Sequence, residues 1–194
     1  ALIVQLLEIH GWGTAICSPE HRPLERYAAR LLSAYTGEPF SPGPTTRMSR
    51  ETLLEAIDVF TGRISFLLPT DESPTVAHLL DLARIQVFRD GIKGVVLDPW
   101  NSLDHSRPPQ MLPTEFISHE LSMLTRFARQ YEVHIWLVAH PTKLMKDKDG
   151  QYPVPTAYDI ADSSHFYNKP DNILALWRNV IKGSPTQIHV QKVK

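Results

Sequence analysis

Glu20, Asp98 and His140 are side chains that can do acid–base or metal chemistry, and each comes at or just after the end of an apolar stretch. If the stretches are parallel strands, these side chains lie beyond the carboxyl ends of the strands, where open sheets bind ligands. A carboxylate there can hold Mg²⁺ or activate water. A neutral imidazole can contact a phosphate. An apolar strand that ends in an aspartate, as at Asp98, occurs in enzymes that hydrolyse phosphate compounds.

Each of the three residues also has a simpler structural interpretation. The apolar run that ends in Asp98 matches a Walker B strand, whose carboxylate holds Mg²⁺ directly or through water, but this aspartate would equally cap a turn. Glu20 would deprotonate an attacking water, or would complement the dipole of the next helix. His140 would contact a terminal phosphate and report its loss, or would be hydrogen-bonded within the fold. The residues alone leave these alternatives open.

A metal-dependent phosphoesterase is a further alternative. Asp104 and His105 follow Asp98 closely, and together with His140 they offer a set of carboxylate and imidazole ligands. Their spacing is not diagnostic of a metal site.

The elements that would position these residues alternate between helix and strand. Ser73 is predicted to cap a helix that starts at Pro74 and ends at Gly91. The other patterns predict helices at 1–9, 23–35, 50–60, 114–131 and, shorter, 159–168, and strands at 13–18, 63–68, 93–98, 133–139, 173–177 and 187–193. This alternation predicts an α/β fold with a mostly parallel sheet and helices on both faces.

Composition narrows the possible classes of protein. The 194 residues include 20 Lys and Arg and 21 Asp and Glu, for a net charge of −1, so the chain is not a polycation that coats nucleic acid. The 42% hydrophobic content excludes global disorder. Apolar stretches fall short of the ~18 residues that a membrane span needs, so we expect no membrane partner. One cysteine, Cys17, excludes an internal disulfide and fits a reducing compartment.

Longer strings of sequence are more specific than any single residue. They occur in order at 98–108, 136–143, 152–156 and 162–169, and read DPWNSLDHSRP, WLVAHPTK, YPVPT and DSSHFYNK. Together they resemble the RecA-like motor domain of DnaB-like replicative hexameric helicases, most closely the branch of Twinkle and the phage primase–helicases. The likeness covers nearly the whole chain.

The resemblance implies an ATP-driven DNA helicase motor that uses Mg²⁺ with ATP. It implies a hexamer that hydrolyses ATP between subunits and moves along single-stranded DNA, in the cytoplasm of a bacterium or of a phage-infected cell. By position, Glu20 matches the catalytic glutamate that activates water. Asp98 matches the Walker B aspartate and is the expected metal ligand. His140 occupies the position of the residue that senses the γ-phosphate.

The resemblance also implies nucleotide-binding and DNA-binding residues. Arg178 sits where relatives contact the base or sugar of the nucleotide. Lys192 and Lys194 match a pair that reaches the ATP of the neighbouring subunit. The stretch 162–169 matches the channel loop that grips the backbone of single-stranded DNA, and its polar candidates are Ser163, Ser164, His165, Asn168 and Lys169.

Two features depart from the family pattern. The chain contains no Gly-x-x-x-x-Gly-Lys-[Ser/Thr] phosphate loop, so we expect it to begin just after that loop and to be an inactive fragment when alone. Lys194 stands where the family has an arginine finger, and a lysine lacks the planar, two-pronged donor set of arginine. The remaining alternative is a non-catalytic DNA-binding or assembly module with the same fold.

Overall fold

The computed structural model describes residues 2–69, 73–160, 164–179 and 183–194. The chain divides into two units. The first unit comprises Ala1–Asp104 and Phe127–Val138, and the second comprises His105–Arg126 and Ala139–Lys194. Within the described residues, no helix is long and apolar enough to cross a membrane.

The first unit is built on a parallel four-stranded sheet. Its strands lie in the order β2-β1-β3-β4, and every neighbouring pair is parallel. In chain order the elements are α1 (Leu2–His10), β1 (Thr14–Cys17), α2 (Leu24–Thr36), α3 (Arg50–Phe60), β2 (Ile64–Phe66), α4 (Val76–Asp90), β3 (Gly94–Leu97), a 3₁₀ turn (Trp100–Ser102), α5 (Pro113–Tyr131) and β4 (His134–Leu137). Helix α5 belongs to both units, because the boundary falls between Arg126 and Phe127.

Helices cover both faces of this sheet. Ile16 of β1 and Val96 of β3 are buried in one cluster with residues of α1 and α2. Successive residues of a strand point to opposite faces, so Cys17, next to Ile16, points the other way, and it too is buried. Helix α4 contacts β1 and buries Leu79 completely. The predicted α/β fold with a helix-covered parallel sheet is confirmed.

The sheet needs a glycine where β3 begins. A Cβ at Gly94 would lie 2.7 Å from Cζ3 of Trp136 and 2.9 Å from Oγ1 of Thr14. Those residues belong to the two strands that flank β3. A side chain at this position would push the strands apart, so Gly94 sets how closely β1, β3 and β4 pack.

The second unit holds the remaining elements. They are residues 113–126 of α5, a second 3₁₀ turn (Ala157–Asp159), α6 (His165–Asn168), β5 (Ile173–Trp177) and β6 (Gln187–Lys192). Strands β5 and β6 form a separate antiparallel pair in which Leu174 faces Val190 and Leu176 faces Ile188. All four of these apolar side chains are exposed.

Two predicted element boundaries are wrong. Helix α4 begins at Val76, and its cap is Thr75 rather than Ser73, because the Thr75 hydroxyl accepts the His78 N–H at 3.2 Å. Pro74 lies before the helix, where its carbonyl accepts the Asp104 N–H at 3.0 Å. The predicted helix at 159–168 is instead two short elements, the second 3₁₀ turn and α6.

Candidate functional site at the end of the parallel sheet

Asp98 directly follows β3 and is mostly enclosed by residues that follow β1. The Ser18 hydroxyl donates to Oδ2 of Asp98 at 3.4 Å. Nδ1 of His21 lies 3.6 Å from the same oxygen. The side chain of Asp98 is 18% exposed, so part of it remains accessible to solvent. The residue therefore presents a positioned carboxylate at the carboxyl end of the sheet, as the strand pattern predicts.

His21 is a site residue that the sequence analysis did not identify. A turn brings it back to Ser18: the His21 N–H donates to the Ser18 carbonyl at 3.2 Å, and the Ser18 hydroxyl lies 2.6 Å from His21 Nδ1. The imidazole also stacks on Tyr27, with the ring centroids 4.7 Å apart. The signal available in the sequence was its place three residues after Ser18 and next to Glu20. That spacing alone does not reveal the turn.

Glu20 is exposed and has one partner from the loop after β3. The Ser102 hydroxyl donates to Oε1 of Glu20 at 3.4 Å. Helix α2 begins only at Leu24, and its first-turn acid is Glu25, so Glu20 does not serve the dipole of that helix. The structural alternative for Glu20 is therefore wrong. Glu20 and Asp98 lie on loops that follow the adjacent strands β1 and β3.

The enclosed surroundings of Asp98 favour neutral forms of two nearby groups. Burial raises the pKa of the Cys17 thiol to about 11; the Asp98 carboxylate acts in the same direction and Arg22 opposes it. Burial, followed by the Asp98 carboxylate, also raises the pKa of the Tyr27 hydroxyl. Both groups therefore remain protonated at neutral pH and add no negative charge beside Asp98.

The oxygen atoms around Asp98 suit a hard cation. Mg²⁺ keeps several waters and takes one or two protein oxygens together with those of a phosphate. The Asp98 carboxylate and the Ser18 hydroxyl, 3.4 Å apart, offer such a set. Within the described residues, no group of three or more His, Cys, Asp or Glu side chains is arranged to hold a metal ion. The donor set therefore fits a magnesium ion that keeps most of its own waters.

His140 belongs to the second unit, three residues after β4 ends. Its side chain is exposed. Its role as a phosphate sensor stays a prediction.

Comparison with known proteins finds a similar sequence and similar folds. No protein-family model matches the chain. The chain is 32% identical over 203 residues to the Twinkle homolog protein, chloroplastic/mitochondrial, of Arabidopsis thaliana, and the match covers all of this chain and 28% of that protein.

Two solved structures share the fold. One, an ATPase domain, matches with a TM-score of 0.72 and 17% identity, over 94% of this chain and 67% of that one. The other, a DnaB-like replicative helicase solved in a study of its interactions with primase, matches with a TM-score of 0.69 and 16% identity, over 94% of this chain and 47% of that one.

The chain has the RecA-like fold of the ATPase domains of DnaB-like helicases. The chain spans only about a quarter of the curated relative that it matches.

The predicted nucleotide-binding residues lie at or just after the ends of β5 and β6. Arg178 is exposed directly after β5. The Lys192 ammonium, at the end of β6, donates to the carbonyls of Tyr167 at 2.7 Å, Asn168 at 3.3 Å and Pro170 at 2.8 Å. The Lys194 ammonium pairs with Asp171 at 2.9 Å. In this structure both lysines therefore contact the same chain, and Lys192 ties β6 to the end of α6.

The described residues of the predicted DNA loop differ in how deeply their side chains are buried. Phe166 of α6 is buried, while Ser164 and Asn168 are exposed and His165 is half-buried. The Lys169 ammonium donates to the hydroxyl of Ser122, on α5, at 2.8 Å. Ser163 lies outside the described residues. In the described part of the loop, an aromatic side chain is therefore buried and polar side chains are exposed.

Proposed function

We propose that the full-length protein is the ATP-dependent DNA helicase motor of a replicative hexamer, which couples ATP hydrolysis to movement along single-stranded DNA. The observation that carries the proposal is the placement of Asp98 and Glu20 on the loops after two adjacent strands. Ser102, from the Asp98 loop, holds the Glu20 carboxylate. Two carboxylates with different surroundings at the end of a RecA-fold sheet are the parts that metal-assisted hydrolysis needs.

The two carboxylates would have different roles in ATP hydrolysis. Asp98, which contacts Ser18 and His21, would hold Mg²⁺, and the cation would neutralise phosphate charge. Glu20, which is exposed, accepts a proton from the attacking water. The Ser102 hydroxyl keeps the Glu20 side chain turned toward the loop after β3. His140 would contact the terminal phosphate.

Nucleotide and DNA would be bound by groups from the second unit. Arg178 would contact the base or sugar, and Lys192 and Lys194 would reach the ATP of a neighbouring subunit, after leaving the partners that they have in this chain. Around α6, Ser164, His165, Asn168 and Lys169 would contact DNA phosphates, and Ser163 is proposed with them. Such contacts hold a strand without reading its bases.

The proposal concerns the full-length protein. The 194 residues contain no Gly-x-x-x-x-Gly-Lys-[Ser/Thr] loop, which in P-loop enzymes cradles the β- and γ-phosphates. We propose that these residues alone do not hydrolyse ATP. The experiments below therefore use the full-length protein.

Replacement of Glu20 tests the catalytic assignment. We expect Glu20→Gln to lower kcat for ATP by roughly 10²- to 10⁴-fold, because an amide cannot take the proton of the attacking water. The Kd for ATP, measured by calorimetry with Mg²⁺ present, should stay near that of the parent, since the amide keeps the size of the carboxylate. Glu25→Gln is the matched control, because Glu25 is an exposed acid on the first turn of α2.

Three results would contradict the proposal. Hydrolysis by Glu20→Gln at the parent rate would remove Glu20 from the reaction. A similar loss in Glu25→Gln would mean that the effect is not specific to the site. A parent protein that binds single-stranded DNA but hydrolyses no ATP would favour the non-catalytic module.

A further inference from the structure

Tyr158 is an exposed aromatic residue beside the predicted DNA loop. It lies in the second 3₁₀ turn, and 54% of the residue is exposed. One side of its ring stacks on Tyr167 of α6, with the centroids 4.8 Å apart and the planes 17° from parallel. Because so much of its surface stays open while one side is packed, the other side of the ring faces solvent. The two tyrosines form a short aromatic stack with one free end, which we call the tyrosine stack.

The turn that carries Tyr158 is tightly held. The Thr156 N–H and hydroxyl both donate to Oδ2 of Asp159, at 2.7 and 2.8 Å. The N–H and hydroxyl of Thr142 both donate to the Asp159 carbonyl, at 2.6 and 2.9 Å. These four bonds fix the residue after Tyr158 and the residue two positions before it. The backbone that carries the Tyr158 ring is therefore held in place, which lowers the entropy lost when a ligand binds to the ring.

The other ring of the stack is fixed as well. Tyr167 lies on α6, whose neighbouring Phe166 is buried. The Lys192 ammonium lies 5.4 Å from the centroid of the Tyr167 ring and also donates to the Tyr167 carbonyl. The polar side chains of Ser164 and Asn168, exposed on either side of these aromatic residues, lie on the same short segment. The tyrosine stack thus stands beside groups suited to bind phosphate.

We propose that the open side of Tyr158 stacks on one base of single-stranded DNA while the polar groups around α6 hold the phosphates. The ligand is a strand whose bases are unpaired, since every base has a flat π face and a paired base is already stacked in its duplex. The inference rests on the proposed function in one respect, which is that the protein binds single-stranded DNA. It adds a base contact to a loop that otherwise contacts only the DNA backbone.

Binding measurements on the full-length protein test the stack. We expect Tyr158→Ala to weaken binding of oligo(dT) roughly ten-fold, as for the loss of one base–aromatic stack, while Tyr158→Phe binds like the parent. Binding of an abasic strand of equal length should not change in either variant, because it offers no base. Tyr152→Ala is the matched control, since Tyr152 is also exposed (45%) but packs against Lys146.

Photo-crosslinking separates a direct contact from a structural effect. A single 5-iodouracil in the oligo(dT) should crosslink to Tyr158 in the parent protein, as mapped by peptide mass spectrometry. Crosslinks only at other residues, or equal losses for oligo(dT) and the abasic strand in Tyr158→Ala, would overturn the inference and leave the proposed helicase function standing. A ten-fold loss of ATP affinity in Tyr158→Ala, measured without DNA, would also overturn the inference, because the ring would then stack on the adenine of ATP. A parent protein that binds no single-stranded DNA would overturn both proposals.

Discussion

The Ser18, His21 and Asp98 side chains contain the three groups of a hydrolase triad in a geometry that cannot act as one. A triad needs both ring nitrogens, one toward the serine and the other toward the aspartate. Here the same atom, Nδ1 of His21, lies 2.6 Å from the Ser18 hydroxyl and 3.6 Å from the Asp98 carboxylate. The imidazole therefore cannot relay a proton between the two. It closes one side of Asp98 and helps to fix the carboxylate.

Cys17, one residue before Ser18, should be an unreactive thiol. Because burial raises its pKa to about 11, the thiolate is roughly 0.1% of the total at pH 8. We expect iodoacetamide to label Cys17 of the native protein very slowly at pH 8 and faster as the pH approaches 11. In the unfolded chain the pKa returns to its ordinary value, so labelling at pH 8 in denaturant is the control.

Rapid labelling of the native protein at pH 8 would show that Cys17 is not enclosed.

The raised pKa of Cys17 also makes the stability of the fold depend on pH. A group whose pKa is raised in the folded state favours folding while it stays protonated, so this contribution is lost as the pH rises from about 9 toward 11.

Among the elements, the start of α4 offers the sharpest test of a local interaction. Thr75→Ala removes the hydroxyl that accepts the His78 N–H and should cost about 1 kcal/mol. Opening of the first turn would then become easier, and exchange of the His78 amide in deuterated water should quicken roughly five-fold. Ser73→Ala is the matched control and should leave that exchange rate unchanged. Faster exchange of the His78 amide in Ser73→Ala but not in Thr75→Ala would show that Ser73 is the cap.

The sequence contains most of the signals for the first unit. Buried strands followed by helices of suitable length predicted β1 to β4, and the strand ends predicted where Asp98 and Glu20 lie. The cap of α4 was misplaced because Ser73-Pro74 and Thr75 are both good starting signals. The structure selects Thr75, whose hydroxyl accepts the His78 N–H, while the Pro74 carbonyl accepts the Asp104 N–H from a distant part of the chain.

Contacts distant in sequence also explain what the pattern of the second unit did not reveal. The run Ile173–Trp177 is wholly apolar, as in a buried parallel strand, yet it pairs antiparallel with β6 and exposes Leu174 and Leu176. An apolar run predicts a strand but not its partner. His21 was missed for the same reason, since its place beside Asp98 depends on a residue far away in the chain.

For the full-length protein, replacement of Lys169 tests whether the loop around α6 binds DNA phosphates. Binding of single strands weakens with salt, and each neutralised phosphate contributes roughly 0.7 to the slope of log K against log salt. In this structure the Lys169 ammonium is bonded to Ser122. If DNA draws the ammonium away, Lys169→Ala should flatten the slope and impair unwinding, while ATP hydrolysis without DNA stays near the parent rate.

Ser122→Ala separates a charge effect from a structural one. It removes the hydroxyl that accepts from Lys169 but keeps the charge, so the salt slope should remain at or above that of the parent if Lys169 contacts a phosphate. Lys148→Ala, at an exposed lysine of the loop 141–151, is the control for a general loss of charge. The measurement is the affinity for one oligo(dT) at several salt concentrations. Equal slopes for Lys169→Ala and the parent would mean that Lys169 does not touch the DNA. A slope flattened as much by Ser122→Ala would mean that the bond between α5 and Lys169 shapes the loop.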